Sequence, residues 1–364
     1  MSDSSHSFYP KLRGRGALKN PAGRFEHLDT EMDADAYEAM RQNEDISAEQ
    51  QIRTAVYKDT SKTIISTNES PDVGMETTVN PYRGCEHGCI YCYARPTHEY
   101  LGMSAGVDFE TKIFAKPNAP DLLIEKLRSK TWQPKIITFS GITDPYQPQE
   151  KHLKITRGCL EVLRDFKNPA GIITKNYMVT RDIDILQDMA RDNTIVVNMS
   201  ITTMDSDLAR RMEPRTSRPG LRFKAIEELS KAGIPVGIMM GPVIPGLTDQ
   251  EIPSILKAAS DAGARNANYT MLRLPYGVKD LFQDWLAEHY PNRVNKILNR
   301  VRDMRGGRLN DSEFGLRMRG QGVFADQVAT LFTLYKKKYG LNRPAGLSIH
   351  GFDRGARDNQ YRLF

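Results

Sequence analysis

Only four cysteines occur in these 364 residues, and no apolar run approaches the roughly 20 residues that a membrane-spanning helix requires. A helical membrane protein is therefore not expected. The first thirty residues, MSDSSHSFYPKLRGRGALKNPAGRFEHLDT, lack the apolar core of a secretory signal, so a cytoplasmic setting is expected. Thiols in that reducing compartment do not build a disulfide framework. Nucleotide signatures are missing as well. There is no GxxxxGK[ST] and no GxGxxG in a strand-to-helix setting, so neither triphosphate hydrolysis nor dinucleotide binding is indicated.

What is present fits a folded globular chain: 39% apolar and 26% charged residues. Its length suggests two or three domains, or one large α/β domain with extensions. The net charge of +6 is unevenly spread. From Pro291 to Phe364 there are fifteen Lys/Arg against six Asp/Glu, a net of +9, while the remainder carries −3. Arg293, Lys296, Arg300, Arg302, Arg305, Arg308, Arg317 and Arg319 crowd one segment, and Lys336, Lys337 and Lys338 follow. Such clustering attracts phosphate backbones, although a solvated helix face produces the same pattern.

Three regions emerge along the chain. Residues 1–70 read as a mostly irregular basic and polar N-terminal arm, with one short helix around DADAYEAMRQ. Residues 71–280 alternate short β-branched runs with helical periodicity. The strands are expected at TTVNPY, KIITFS, GIIT, IVVNMSIT, PVGIMMG and NYTMLRL, with a helix after each of the first five, the first beginning at Tyr93. Repeated β-then-α units imply parallel strands joined by right-handed crossovers, hence an α/β fold. A partial or full barrel is the leading architecture and a doubly wound sheet the alternative. Residues 281–364 read as a basic, helical C-terminal extension.

Three of the four cysteines fall in one stretch, NPYRGCEHGCIYCYAR, directly after the first strand. In a parallel α/β barrel that rim is where active sites are built. Thiolates are soft ligands that select zinc or iron–sulfur clusters. Structural zinc takes four protein ligands, so His87 or His98 would have to join Cys85, Cys89 and Cys92. A cubane takes one thiolate per iron, so three thiols leave one iron without a protein ligand. An open coordination position marks a reacting metal.

The CxxxCxxC spacing after a first strand, with an aromatic before the last cysteine as in CIYC, resembles the signature of radical S-adenosylmethionine enzymes. The resemblance implies a partial (β/α)6 barrel with Cys85, Cys89 and Cys92 ligating a [4Fe-4S] cluster. In that superfamily the open iron binds S-adenosyl-L-methionine, reduction cleaves it to a 5′-deoxyadenosyl radical, and the radical abstracts a hydrogen from substrate. A one-electron reductant such as flavodoxin or ferredoxin is the implied partner. GCEHGCIYCYAR, TFSGITDPYQPQE, IITKNYMVTRDIDIL, NMSITTMD and MEPRTSRPGLRFKAIEELSKAGIPVGIMMGPVIPG are similar to the spore photoproduct lyase and DNA repair photolyase-like subgroup.

On that resemblance Lys175 meets the cofactor carboxylate. Thr143 and Ser200 face the cofactor, and Asp144 binds its amino group or ribose. Tyr91 and Tyr93 match tyrosines that relay a hydrogen atom. One position departs from the pattern: where spore photoproduct lyase carries a hydrogen-donating cysteine, this chain has Gly141. Cys159, in ITRGCLEVLRDF, falls on a helix and reads as a small core residue. A radical enzyme acting on nucleic acid through the basic C-terminal region is therefore expected, though not with spore photoproduct lyase's own return step. The other readings are radical modification of a protein or peptide, and a redox-sensing cluster protein without turnover.

Overall fold

The computed structural model describes residues 11–12, 14–25, 49–50 and 52–357. The helix expected around DADAYEAMRQ lies outside them. Among the described residues twelve strands are formed. Strands β1 (Lys11–Leu12) and β2 (Glu49–Gln50) pair in parallel. Strands β3 (Ala55–Lys58), β7 (Lys112–Ala115) and β6 (Tyr82–Arg83) form a small sheet in that order. The main sheet contains β4 (Ile65–Thr67), β5 (Thr77–Val79), β8 (Ile137–Phe139), β9 (Ala170–Thr174), β10 (Ile195–Ser200), β11 (Val236–Val243) and β12 (Asn266–Met271).

Its order is β12-β11-β10-β9-β8-β5-β4. The six strands expected from sequence are all present and run parallel, and only the edge strand β4 is antiparallel. Because these six lie side by side in chain order, every right-handed crossover steps the same way and places its helix on the same face. A doubly wound sheet would need the order to reverse. The fold is thus a partial α/β barrel, with β12 and β4 as its edges among the described residues. The strand interiors are Val, Ile, Met and Phe, as strands covered on both faces require.

Each later crossover carries the expected helix: Ile155–Asp165, Ile183–Arg191, Pro219–Lys231 and Ile252–Asp261. Cys159 is fully buried on the first of these, in the main core. The first crossover differs from expectation. No α-helix starts at Tyr93. Turns lead into the 3-10 helix Arg95–Leu101, which Gly102 ends in a left-handed conformation, and the packing helix comes later at Ala119–Arg128. The backbone between is occupied with holding the cysteine loop.

Beyond β12 the helices Val278–His289, Val294–Asp303 and Val323–Lys338 follow. The first two form a second core around Phe282, Trp285 and Val301, which also takes in Cys89, Ile90 and Tyr91. The third packs on the main core through Val328 and Phe332. Phe324 and Tyr335 of the basic C-terminal region also lean on that core, whereas Phe314 is well exposed, at 57%. No helix among the described residues is long and apolar enough to cross a membrane.

Candidate functional site

The cysteine loop leaves β5 and β6 at the carboxyl rim of the parallel strands, and its backbone is fixed before any side chain is considered. The Cys85 N–H donates to Phe109 O at 2.9 Å, Ile90 N–H to Met212 O at 3.0 Å, and Cys92 N–H to Cys89 O at 3.1 Å. Gly84 and Gly88 adopt φ of +76° and +66°. A Cβ on Gly88 would come within 2.7 Å of Glu110 Oε2, so this turn requires glycine.

Arg95 clamps the loop from beneath. Fully buried, its guanidinium donates to the carbonyls of Cys89 (3.0 Å), Gly88 (3.2 Å), Ala105 (3.1 Å) and Gly106 (2.9 Å), and to Glu110 Oε1 (2.5 Å). All five N–H donors of an arginine are thereby used. Glu110 in turn accepts from the backbone N–H groups of Gly16 (2.9 Å) and Ala17 (2.8 Å), while Arg15 donates to Glu110 O at 2.7 Å. The backbone around Arg15, Gly16 and Ala17 of the N-terminal arm is thus threaded under the cysteine loop. No motif marks Arg95 or Glu110 in the sequence, because their partners are mostly backbone carbonyls and amides.

Cys85 and Cys89 are buried, and Cys92 is half-buried. Burial pushes the thiols of Cys89 and Cys92 above their ordinary range. They stay protonated unless a cation offsets the charge, and a coordinated metal removes the proton outright. Among the described residues no three His, Cys, Asp or Glu side chains converge on one metal-ion position. Three thiols spread around a loop instead suit a cubane, where each thiolate takes a different iron. The two histidines weighed as a fourth zinc ligand are turned to other tasks. His98 packs edge-on against Phe109 and Phe114. His87 Nδ1 lies 3.3 Å from Asp144 Oδ2. Burial resists protonation of His87, but the Asp144 carboxylate and the Cys85 sulfur together outweigh it and push the imidazole up to about 10.

The residues expected around the cofactor come from the ends of β8, β9 and β10, and they divide into two groups. Thr143 and Asp144 are occupied by protein. Thr143 Oγ1 donates to Gly84 O at 2.7 Å and accepts from Gln147 at 3.2 Å. Asp144 accepts from Thr174 Oγ1 (2.7 Å), Lys175 N–H (2.8 Å) and Tyr146 N–H (2.9 Å). Burial opposes its ionisation, but His87 and these donors hold it below the usual carboxylate range. Both residues tie the β8 loop to its neighbours.

Lys175 and Ser200 form the other group. Lys175 Nζ donates to Ser200 Oγ at 2.7 Å and to Gly241 O at 3.3 Å, and lies 5.8 Å from the Tyr91 ring centre. Burial lowers its pKa, and no carboxylate among the described residues forms an ion pair with it. A half-buried ammonium so placed lacks an anion.

Tyr91 and Tyr93 are not equivalent. The Tyr91 hydroxyl donates to the buried Glu213, which is also bound by Thr202 at 2.7 Å and paired with Arg222. Tyr93 is 49% exposed, its hydroxyl meets no described residue, and Arg273 Cζ lies 5.9 Å from its ring centre. Glu213 and Arg215, two residues apart in MEPRTS, take different partners. Glu213 joins Arg222, whereas Arg215 donates to Glu86 at 2.8 Å, because the tight turn sends the two side chains to different neighbours. Gly141 adopts φ +135°, a conformation open to glycine and strained for any other residue.

Comparison with known proteins agrees with this geometry. Residues 79–259 match the family model described as the radical SAM superfamily. An uncharacterized protein of Mycobacterium tuberculosis is 33% identical over 270 residues, 74% of this chain and 76% of that one. An uncharacterized protein of Methanocaldococcus jannaschii is 29% identical over 229 residues, 63% of this chain and 82% of that one. Among solved structures, a spore photoproduct lyase mutant superposes with TM-score 0.55 at 13% identity, covering 80% of this chain and 82% of that one. A second mutant, with bound AdoMet and dinucleoside spore photoproduct, gives 0.54 at 14% identity over 78% of each chain. That superfamily uses a [4Fe-4S] cluster and S-adenosylmethionine, and this chain belongs to it.

Proposed function

We propose that this chain is a cytoplasmic radical S-adenosylmethionine enzyme whose substrate is a nucleic acid, with Cys85, Cys89 and Cys92 each holding one iron of the cluster. The observation that carries the reading is the pairing of a three-thiol rim loop with an ammonium that has no carboxylate partner. Cys89 and Lys175 both touch the space around Tyr91, so the chain presents soft ligands for iron and a cation for a carboxylate side by side. When bound, the cluster and cofactor supply reductive cleavage of S-adenosylmethionine and hydrogen abstraction from the substrate.

The chain's own residues then have distinct tasks. Lys175 binds the cofactor carboxylate by a charge-assisted hydrogen bond, and Ser200 orients that ammonium. Thr143 and Asp144 act one step back, fixing the loops that carry Gly84 and Lys175. Of the two tyrosines, Tyr93 is the better hydrogen relay, since its hydroxyl is not engaged by a carboxylate as that of Tyr91 is. Gly141 provides no thiol for returning a hydrogen. The nucleic-acid assignment is supported by the shared fold with a protein solved with a dinucleoside lesion and by the +9 C-terminal region. A flavodoxin or ferredoxin would deliver the electron.

Anaerobic reconstitution with iron and sulfide, followed by dithionite and S-adenosylmethionine, tests the reading. Formation of 5′-deoxyadenosine is the expected result. A reconstituted, reduced protein that forms none would return it to the class of redox-sensing cluster proteins.

A further inference from the structure

We infer that Arg273, together with Phe314 of the segment whose Met318 it touches, forms a subsite that grips a phosphodiester of a single-stranded nucleic-acid substrate at the mouth of the site. This inference rests on the functional reading above. Arg273 stands two residues beyond the end of β12, on the same rim as the cysteine loop and over the Tyr93 ring. Its Nε is buried without a hydrogen-bond partner, and its Nη1 reaches only the weak acceptor Met318 Sδ at 3.4 Å.

Two further arginines surround it, and both are satisfied. Arg305 is buried and donates to Leu272 O (2.8 Å) and Leu316 O (3.1 Å). Arg317 pairs with Asp72 at 2.7 Å and also binds Ser70 Oγ. Asp72 is taken up by that pair and by the Gly315 N–H at 2.6 Å, and it forms no ion pair or hydrogen bond with Arg273. Burial and then the Arg317 charge oppose the Arg273 cation, and Tyr93 and the Asp72 carboxylate offset only part of this, yet a guanidinium stays protonated. It therefore awaits an anion.

The cofactor's carboxylate belongs to Lys175, so the anion at Arg273 comes from the substrate. The neighbouring chemistry selects its kind. Phe314 is 57% exposed with the Arg317 guanidinium 4.4 Å from its ring centre, in a loop that also carries Arg308 and Arg319. An exposed ring beside cations that track a backbone is how proteins hold single strands, by base stacking and phosphate contacts. A planar guanidinium fork also matches the two free oxygens of a phosphodiester.

The test is fluorescence anisotropy of a labelled single-stranded oligodeoxynucleotide with the anaerobically reconstituted full-length protein, over a series of salt concentrations. Arg273→Gln is expected to reduce the slope of log affinity against log salt by about 0.7, one contact on a single strand. Phe314→Ala is expected to weaken binding about tenfold without changing the slope. Arg273→Lys should keep the slope and lose affinity, which a merely structural arginine would not show. The inference is overturned by an unchanged slope in folded Arg273→Gln protein, by an unaltered protein that does not bind the oligonucleotide, or by displacement with an acidic peptide alone. The cluster reading is tested separately by 5′-deoxyadenosine formation in the unaltered protein without oligonucleotide, so either can fail alone.

Discussion

Two loops on the same rim have been treated in opposite ways. In the cysteine loop the backbone is tied down, Arg95 and Gln147 bonding it directly and Glu110 bracing Arg95 from below, although Glu86 Oε2 and His87 Nδ1 are buried there without a hydrogen-bond partner. At the mouth, between Tyr93 and Arg273, a hydroxyl and a buried guanidinium nitrogen meet no described partner. A closed, over-determined loop is what a cofactor needs if it is to be held in one geometry. An unsatisfied pair is what a substrate needs, since its own groups complete the hydrogen bonds. Lys175 belongs with the second kind although it lies deep, because its ammonium meets Ser200 Oγ and Gly241 O and the carboxylate proposed for it is also a ligand that arrives from outside.

The comparison can be broken in several places. Cys89→Ala removes one of the three proposed iron ligands without disturbing the clamp, so reconstituted protein should lose the cluster's visible absorption and fall to background in cofactor cleavage. Arg95→Met strikes the clamp itself. It strands Glu110 as a buried charge, which costs about 3–5 kcal/mol, so a thermal melt of the reconstituted protein should drop markedly although all three thiols remain. Lys175→Met should leave folding and iron content intact and weaken S-adenosylmethionine binding by about ten- to a hundredfold, the loss of a charged hydrogen bond worth about 1.5–3 kcal/mol. Gly141→Cys is the mildest. The nearest atom to a Cβ there is Asn80 Oδ1 at 3.5 Å, so space is ordinary and the cost is backbone strain of about 1 kcal/mol, read in the melt.

That last variant also separates what the sequence reveals from what it conceals. The glycine at the position of a donor thiol was legible from SGITDP alone. That the backbone there turns through φ +135°, so that the loop has no natural place for cysteine, was not, since positive φ depends on the tertiary course of the chain. The six parallel strands and their later helices were legible because β-branched runs and helical periodicity alternate cleanly from Thr77 to Met271. The first crossover was misread. YCYARPTHEYLG looks like the opening of a helix, but Pro96 and the demand of Arg95 for loop carbonyls produce turns and a 3-10 segment instead.

The candidate site was legible in proportion to how much of each residue's role is carried by its type. Cysteine spacing signals soft-metal chemistry by itself, and a lysine at a strand end suggests an anion. Thr143, Asp144 and Tyr91 were placed at the correct rim, yet their hydrogen bonds to Gly84, Lys175 and Glu213 depend on contacts across 59, 31 and 122 residues. No local pattern encodes these. The same holds for Glu110, whose carboxylate is shared between Arg95 and the backbone N–H groups of Gly16 and Ala17.

The central claim is that three thiols hold a cluster with one iron left open for S-adenosylmethionine. Electron paramagnetic resonance of the dithionite-reduced, reconstituted protein tests it most directly, recorded before and after S-adenosylmethionine is added. The account predicts a reduced [4Fe-4S] signal that changes on addition of the cofactor, and no such signal in Cys89→Ala protein. A signal indifferent to the cofactor, or a protein that binds zinc in place of iron, would contradict it.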